Sequence, residues 1–469
     1  MTVSTGMFHG IHGLDGADDQ FESLREQLAG QLITSADFEF DTARRTIYIN
    51  LDCRPLAIIH AANAADVAAT VRFARDHELP LAVRSGGHSL AHYSVIDDAV
   101  IADLSQMKRV IIDPERRIAH VQPGATSGHL AGPANAHGLA LTTGDTHSVG
   151  MGGLTTGGGI GFMVRRYGLA IDSLLAAQVV TADGEVVTTS AEEHPDLFWA
   201  IRGGGGNFGI ITEFTYRLAP VDHVLGGMLC LPATREVIRG YLDYVVAAPE
   251  DLTTITNLMY APPAPFVPEE RVGELILGIF FVWTGTAEDG ERALAPLRAL
   301  AAPVAESVQW MPYPGIYEYT AFAAEPHAAS IRSMFADELS DAAINAILEA
   351  MHQASSPYSL VQLRGLGGAL ARIPADATAF AHRHQRYFVA IIGLWIDADE
   401  DAAPHIVWTE SLWRKLRPEG DGVYVNFLER EGEARVRDAY PPATYARLVE
   451  IKRKYDPQNL FRFNQNIKP

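Results

Sequence analysis

Cysteine is almost missing from this chain: Cys53 and Cys230 are the only two in 469 residues. Neither belongs to a CxxC pair, so a disulfide framework and a cysteine-based metal cluster are both excluded. Basic residues are also scarce. Lys and Arg number 37 against 57 Asp and Glu, a net charge of −20. That balance argues against nucleic acid or an anionic membrane as partner, because both require a basic face. No run approaches the ~18 apolar residues of a membrane span. Residues 1–19 lack the basic start and apolar core of a signal peptide, so a cytoplasmic location is expected. The length supplies material for about two or three domains.

What the chain does have is glycine, 41 residues, gathered into a few stretches. The first is Val83-Arg84-Ser85-Gly86-Gly87-His88-Ser89, where an apolar strand at 81–83 runs into two glycines and a histidine. Glycines let the backbone approach a ligand closely, so successive N–H groups can converge on one anion. Arg84 adds a permanent planar charge suited to phosphate. A strand-terminating turn with an exposed histidine is the plainer reading of these residues alone. The second stretch, 144–161, contains Gly144-Asp145-Thr146-His147-Ser148-Val149-Gly150-Met151-Gly152-Gly153 and Gly157-Gly158-Gly159-Ile160-Gly161. Its glycines alternate with apolar residues and lack the serine-rich context of a flexible linker. They suit a backbone wrapped around a large planar or phosphorylated ligand. The third, Gly204 to Gly209, fits GxGxxG, but a helix candidate precedes it and a strand candidate follows, the reverse of a Rossmann turn.

Between these stretches the pattern is mixed. Ala64, Val67, Ala68, Val71 and Ala74 fall at helical spacing, predicting a helix over 63–77 that Pro80 ends. Strands are expected at 99–103, 109–112 and 118–122, a helix at 127–137, and a hairpin at 177–189 turning on Asp183-Gly184. A strand is expected at 210–218. Beyond Pro220 the glycine loops vanish. Strand candidates at 274–283, 358–363 and 387–396 alternate with helix candidates at 287–300, 341–354 and 403–416, predicting an antiparallel sheet with helices on one face. A strand at 423–427 and a helix at 445–455 close the chain. The expected class is α+β.

Four separated stretches in this order resemble the FAD-linked oxidases of the vanillyl-alcohol-oxidase superfamily, in its berberine-bridge-enzyme-like branch. They are 84–89, 144–172 with its Arg166-Tyr167-Gly168-Leu169-Ala170 tail, 196–214, and the chain end. That end carries Tyr424-Val425-Asn426-Phe427, Lys454-Tyr455-Asp456-Pro457-Gln458-Asn459-Leu460-Phe461 and Asn464-Gln465-Asn466-Ile467. The resemblance implies a split FAD-binding domain of the PCMH type at 40–220, completed by 421–469, with a substrate domain at 221–420 between. It implies that the glycine turn holds the FAD pyrophosphate and that His88 bonds covalently to the flavin. Imidazole suits that bond because its neutral nitrogen is nucleophilic near neutral pH. The cofactor contacts it implies are Arg84, Ser85, Gly86, Gly87, His88, Ser89, Gly144, Asp145, Thr146, Val149, Gly150, Gly152, Gly153, Gly157, Ile160, Gly209, Ile211, Tyr424, Asn426 and Asn464. Many members attach the flavin a second time through a cysteine, where this chain has Thr146. A single bond through His88 is therefore expected, which argues against oligosaccharide substrates needing a doubly anchored, open site. No metal is expected: His88 and His92 stand four apart, but no carboxylate partner accompanies them.

The function implied is removal of a hydride from an alcohol, amine or activated C–H of a small organic substrate. Molecular oxygen would then reoxidise the flavin to give hydrogen peroxide. The alternatives are a dehydrogenase with another acceptor and a flavin-binding protein without turnover; the small Val149 side chain favours oxygen access. Tyr424 is the candidate base or hydrogen-bonding group, with Asn426 beside it; a base would need a lowered pKa. Arg332, Gln362 and Arg364 are weaker candidates for the cavity wall, and His382 and His384 read as a solvated turn.

Overall fold

A computed structural model describes residues 21–469; the reading of residues 1–19 lies outside them. Near its N-terminal end a four-stranded sheet is ordered Gln31–Thr34, Ala57–His60, Val100–Asp103, Leu81–Arg84, the last three strands parallel. Helix Ala64–Asp76 makes the crossover. Its first turn is capped by Asn63, whose side chain accepts from the Ala65 and Asp66 N–H groups. Val67, Ala68, Val71 and Ala74 form its buried face, as the helical spacing predicts. The glycine turn at 86–87 begins where Leu81–Arg84 ends.

A five-stranded antiparallel sheet follows, ordered Val110–Asp113, Ile118–Val121, Ile210–Arg217, Leu174–Val180, Val186–Ser190. The expected hairpin is its outer pair. Gly184 takes φ +75° in the turn, and Arg72 and Arg75 of the first helix donate to the Gly184 and Asp183 carbonyls. These bonds fix one sheet against the other.

The third sheet has eight antiparallel strands, ordered Ala305–Pro312, His223–Pro232, Leu275–Trp283, Leu252–Tyr260, Leu360–Gly365, Tyr387–Trp395, Ala328–Ala336, Gly420–Asp421. Strand alternation splits its residues between two faces. Leu277, Ile279, Phe281, Val361, Leu363, Val389 and Ile391 pack with residues of helices Arg235–Ala247, Ala287–Arg298, Asp341–His352 and Ala403–Leu416 into one core. Ile255, Asn257, Phe280, Gln362, Arg364 and Ile392 point the other way, into a cavity. The chain then returns through helix Pro442–Tyr455, where Lys452 and Asp456 form a fully buried ion pair. Lys452 also donates to the Asn207 and Phe461 carbonyls, fastening the Gly205–Asn207 turn to the chain end.

The architecture is the α+β one expected, with two differences. Strands His223–Pro232, Leu252–Tyr260, Ala305–Pro312 and Ala328–Ala336 and helix Arg235–Ala247 are not among the elements expected, although Pro232, Pro249 and Pro262 fall at their ends. Residues 423–427 are not a strand. Tyr424 is extended and Val425–Phe427 is one 3-10 turn, closed by the Phe427 N–H donating to the Tyr424 carbonyl (2.8 Å). Side chains, not a strand partner, hold this segment. Among the described residues no helix is long and apolar enough to cross a membrane.

Candidate active site

The face of the eight-stranded sheet opposite its helices, the two glycine stretches and the chain end enclose a cavity of about 410 Å³. Its floor is backbone against backbone. A Cβ on Gly86 would lie 2.3 Å from the Gly150 nitrogen, and one on Gly150 would lie 2.3 Å from the Gly86 nitrogen. Only glycine permits that approach. Gly87, at φ +74°, turns the chain so that His88 follows into the cavity. Gly153 and Gly206 also line it, and a Cβ on either would meet nothing within 4 Å. The open space beside them is shaped for a bound group. The Asn464 Oδ1 atom, buried on the same lining without a hydrogen-bond partner, awaits a donor from that group.

His88 Nε2 lies 2.9 Å from Ser148 Oγ. Burial, with His327 and His147 nearby, pushes its pKa down to about 4, so the imidazole is neutral with one nitrogen lone pair available. Opposite, Tyr424 is buried, and its hydroxyl accepts from the Gly159 N–H (2.9 Å) and from Asn426 Nδ2 (2.9 Å). Asn426 Nδ2 also donates to the Leu154 carbonyl (3.1 Å). Burial raises the Tyr424 pKa, against the lowering effect of the Gly159 and Ile160 N–H groups, Asn426 and Arg364. Arg364 donates to Asp145 (2.6 Å) and to Gln362 (2.7 Å), and its guanidinium sits 5.1 Å from the Phe427 ring centre.

Of the residues singled out in the sequence, Ser85, Gly86, Gly87, His88, Ser89, Gly144, Asp145, Thr146, Val149, Gly150, Gly152, Gly153, Ile160, Gly209, Ile211, Tyr424, Asn426 and Asn464 line this cavity. Two do not. Arg84 is turned away: its guanidinium is buried against Asp103 and donates to the Ala43 and Arg45 carbonyls. It braces the strand end and brings no charge to the cavity. Gly157 lies behind Asn426, where a Cβ would overlap the amide at 2.1 Å. Gln362 and Arg364 line the cavity, whereas Arg332 faces the helical side, tied to Glu410, Glu429 and Glu431. His382 is buried and stacked on Phe335 at 4.9 Å, so only the exposed His384 fits a solvated turn. Cys230 lies in a hydrophobic core and Cys53 is half-buried; neither reaches the cavity. The sequence reading missed Tyr48, Asn257, Phe280, Phe322 and His327. Phe280 lies on the strand expected at 274–283 and Asn257 on Leu252–Tyr260; for both the only available signal is strand alternation.

A closely approached backbone floor, a neutral histidine, and a buried tyrosine under a side-chain wall define a cofactor-dependent enzyme site. Comparison with known proteins gives the class its name. Residues 55–190 match the FAD binding domain family and residues 423–468 the family described as berberine and berberine like. The uncharacterized FAD-linked oxidoreductase YgaK of Bacillus subtilis is 30% identical over 457 residues, covering 95% of this chain and 98% of that protein. (R)-6-hydroxynicotine oxidase of Paenarthrobacter nicotinovorans is 30% identical over 440 residues, covering 89% and 92%. The crystal structure of 6-hydroxy-D-nicotine oxidase from Arthrobacter nicotinovorans superposes with a TM-score of 0.85 at 27% identity, covering 94% of this chain and 98% of that one. The chain belongs to the berberine-bridge-enzyme-like FAD-linked oxidoreductases.

Proposed function

We propose that this enzyme is an FAD-dependent oxidase, with the flavin bonded once, through His88, and a small organic molecule as substrate. Residues 40–220, completed by 421–469, hold FAD, and residues 221–420 shape the substrate side. FAD, when bound, supplies acceptance of a hydride from carbon and delivery of the electrons to molecular oxygen, giving hydrogen peroxide.

The chain's own residues supply the rest. The 86–87 and 150–153 backbone receives the cofactor, and His88 offers an uncharged nitrogen as its anchor. Thr146 carries no thiol, which supports a single linkage. Tyr424 faces the substrate with both lone pairs of its neutral hydroxyl occupied, so it donates a hydrogen bond to a substrate oxygen. Taking a proton requires its ionised form, for which Gly159, Asn426 and Arg364 are the stabilising neighbours. Phe380, Phe388 and Phe427 pack around the Tyr424 ring and fix its direction. Val149 lines the cavity with a small side chain, in keeping with oxygen access.

One observation carries this reading: His88 and Tyr424 line a single cavity with the two glycine stretches. The test is a substrate panel scored for peroxide release and for flavin reduction without oxygen. Fast reoxidation by a quinone or dye with slow reoxidation by air would make the enzyme a dehydrogenase instead.

A further inference from the structure

The sheet wall of the cavity carries a row of polar side chains whose orientation is fixed from one end. Arg364, buried, donates from Nη2 to Asp145 (2.6 Å) and from Nε to Gln362 Oε1 (2.7 Å). A guanidinium has donors only, so the Gln362 atom facing it is the carbonyl oxygen. Gln362 Nε2 is thereby turned to Asn257 on the adjacent strand, 3.0 Å away. An amide nitrogen gives hydrogens, so Asn257 meets it with Oδ1. Asn257 Nδ2 is left over: Asn257 lines the cavity, and its one side-chain hydrogen bond among the described residues is the one Oδ1 accepts from Gln362.

Tyr424 reaches the same state from the other side. The Gly159 N–H can only donate. Asn426 is oriented by the Leu154 carbonyl, which can only accept, so it presents Nδ2 to the tyrosine as well. Both lone pairs of the Tyr424 hydroxyl are taken, and its hydrogen is what remains to offer. Asp145 is the sole carboxylate on the lining among the described residues, and Arg364 neutralises it.

The geometry points to a substrate that carries an acceptor oxygen, a ketone or carboxylate, beside the C–H it gives up; that oxygen meets the free donors Asn257 Nδ2 and Tyr424 Oη. This rests on the reading above that the substrate enters this cavity. An ammonium group would bring donors to donors with no free carboxylate. A polyol would leave most of its hydroxyl hydrogens without acceptors on this wall.

The test titrates the flavin-loaded enzyme with acetophenone, 1-phenylethylamine and xylobiose, followed by the visible spectrum of the flavin. Acetophenone is expected to bind about tenfold more tightly than either of the others, the effect of one well-made hydrogen bond. Asn257→Asp, which replaces the donor by an acceptor, should cost acetophenone at least about tenfold and favour the amine. Asn257→Leu avoids a buried charge and should cost acetophenone about tenfold while leaving the amine unchanged. Tighter binding of the amine or of xylobiose, no response to acetophenone, or unaltered acetophenone binding in the folded variants would overturn the assignment. The titration requires neither turnover nor a covalent bond. An enzyme that releases no peroxide, or holds flavin through another residue, still decides the question.

Discussion

The two walls of the cavity are built by opposite means. On the side proposed for the cofactor, backbone meets backbone: Gly86 and Gly150 stand so close that a methyl group on either would overlap the other. On the side proposed for the substrate, single side chains reach out from neighbouring strands, Asn257 from one, Gln362 and Arg364 from the next, with Asp145 closing the row. Where backbone packs on backbone no atom can be added, and such a wall leaves a run of glycines in the sequence. A side-chain wall is tuned one residue at a time, on strands whose other face belongs to a hydrophobic core.

The largest contrast is expected from Gly86→Ala. Its Cβ has no flexible neighbour to displace, so the backbone itself must move, at about 3 kcal/mol or more. Flavin content after purification should fall close to zero. No change in flavin content would mean that the two glycine stretches do not form the cofactor wall.

Tyr424→Phe acts across the cavity. It removes one hydroxyl while keeping the ring among Phe380, Phe388 and Phe427, so folding and flavin attachment should survive. Flavin reduction by substrate should slow by ~10²–10⁴-fold in anaerobic stopped flow, the usual span for general acid–base help. A rate near normal would move the proton-handling group onto the sheet wall.

Asp145→Asn leaves Arg364 buried without its counter-charge. Loss of roughly 3 kcal/mol in denaturant unfolding is expected, as for other broken buried pairs. Substrate affinity should suffer as well, because the Gln362–Asn257 row is anchored at this end. A variant as stable as the parent would show that the row is not held from Asp145.

The smallest change is the most discriminating. Gly153 lies in helix Met151–Gly157 with nothing within 4 Å of an added Cβ. Gly153→Ala should therefore stabilise the apoprotein by about 0.5–1 kcal/mol, as alanine does in a helix, yet reduce flavin loading. Unchanged loading would place the cofactor away from this wall.

This contrast also explains what could be read from the sequence. Two glycine stretches mark the cavity floor in the sequence, because backbone packed on backbone demands Cβ-free positions close together. Even there Arg84 misled: a charge beside a glycine turn reads as an anion contact, but Asp103 on the next strand claims it, and that pairing spans 19 residues. The strand expected around Tyr424 failed for a similar reason. Alternating Val423-Tyr424-Val425-Asn426-Phe427 has strand character, while bonds from Gly159 and to Leu154, more than 260 residues away, hold it as an extended residue and a turn. Asn257 had no local mark at all. Its meaning comes from Gln362 and Arg364 on a strand about 100 residues later.

The proposed anchoring of the flavin by His88 alone, at the junction of the two walls, is open to direct measurement. The direct measurement is acid precipitation of the purified enzyme followed by peptide mapping of the yellow pellet. Flavin fluorescence should be retained by the polypeptide, confined to one peptide containing His88, and released to the supernatant or never bound in His88→Ala. A second flavin-bearing peptide, attachment at any other residue, or flavin that leaves the parent enzyme on denaturation would contradict it.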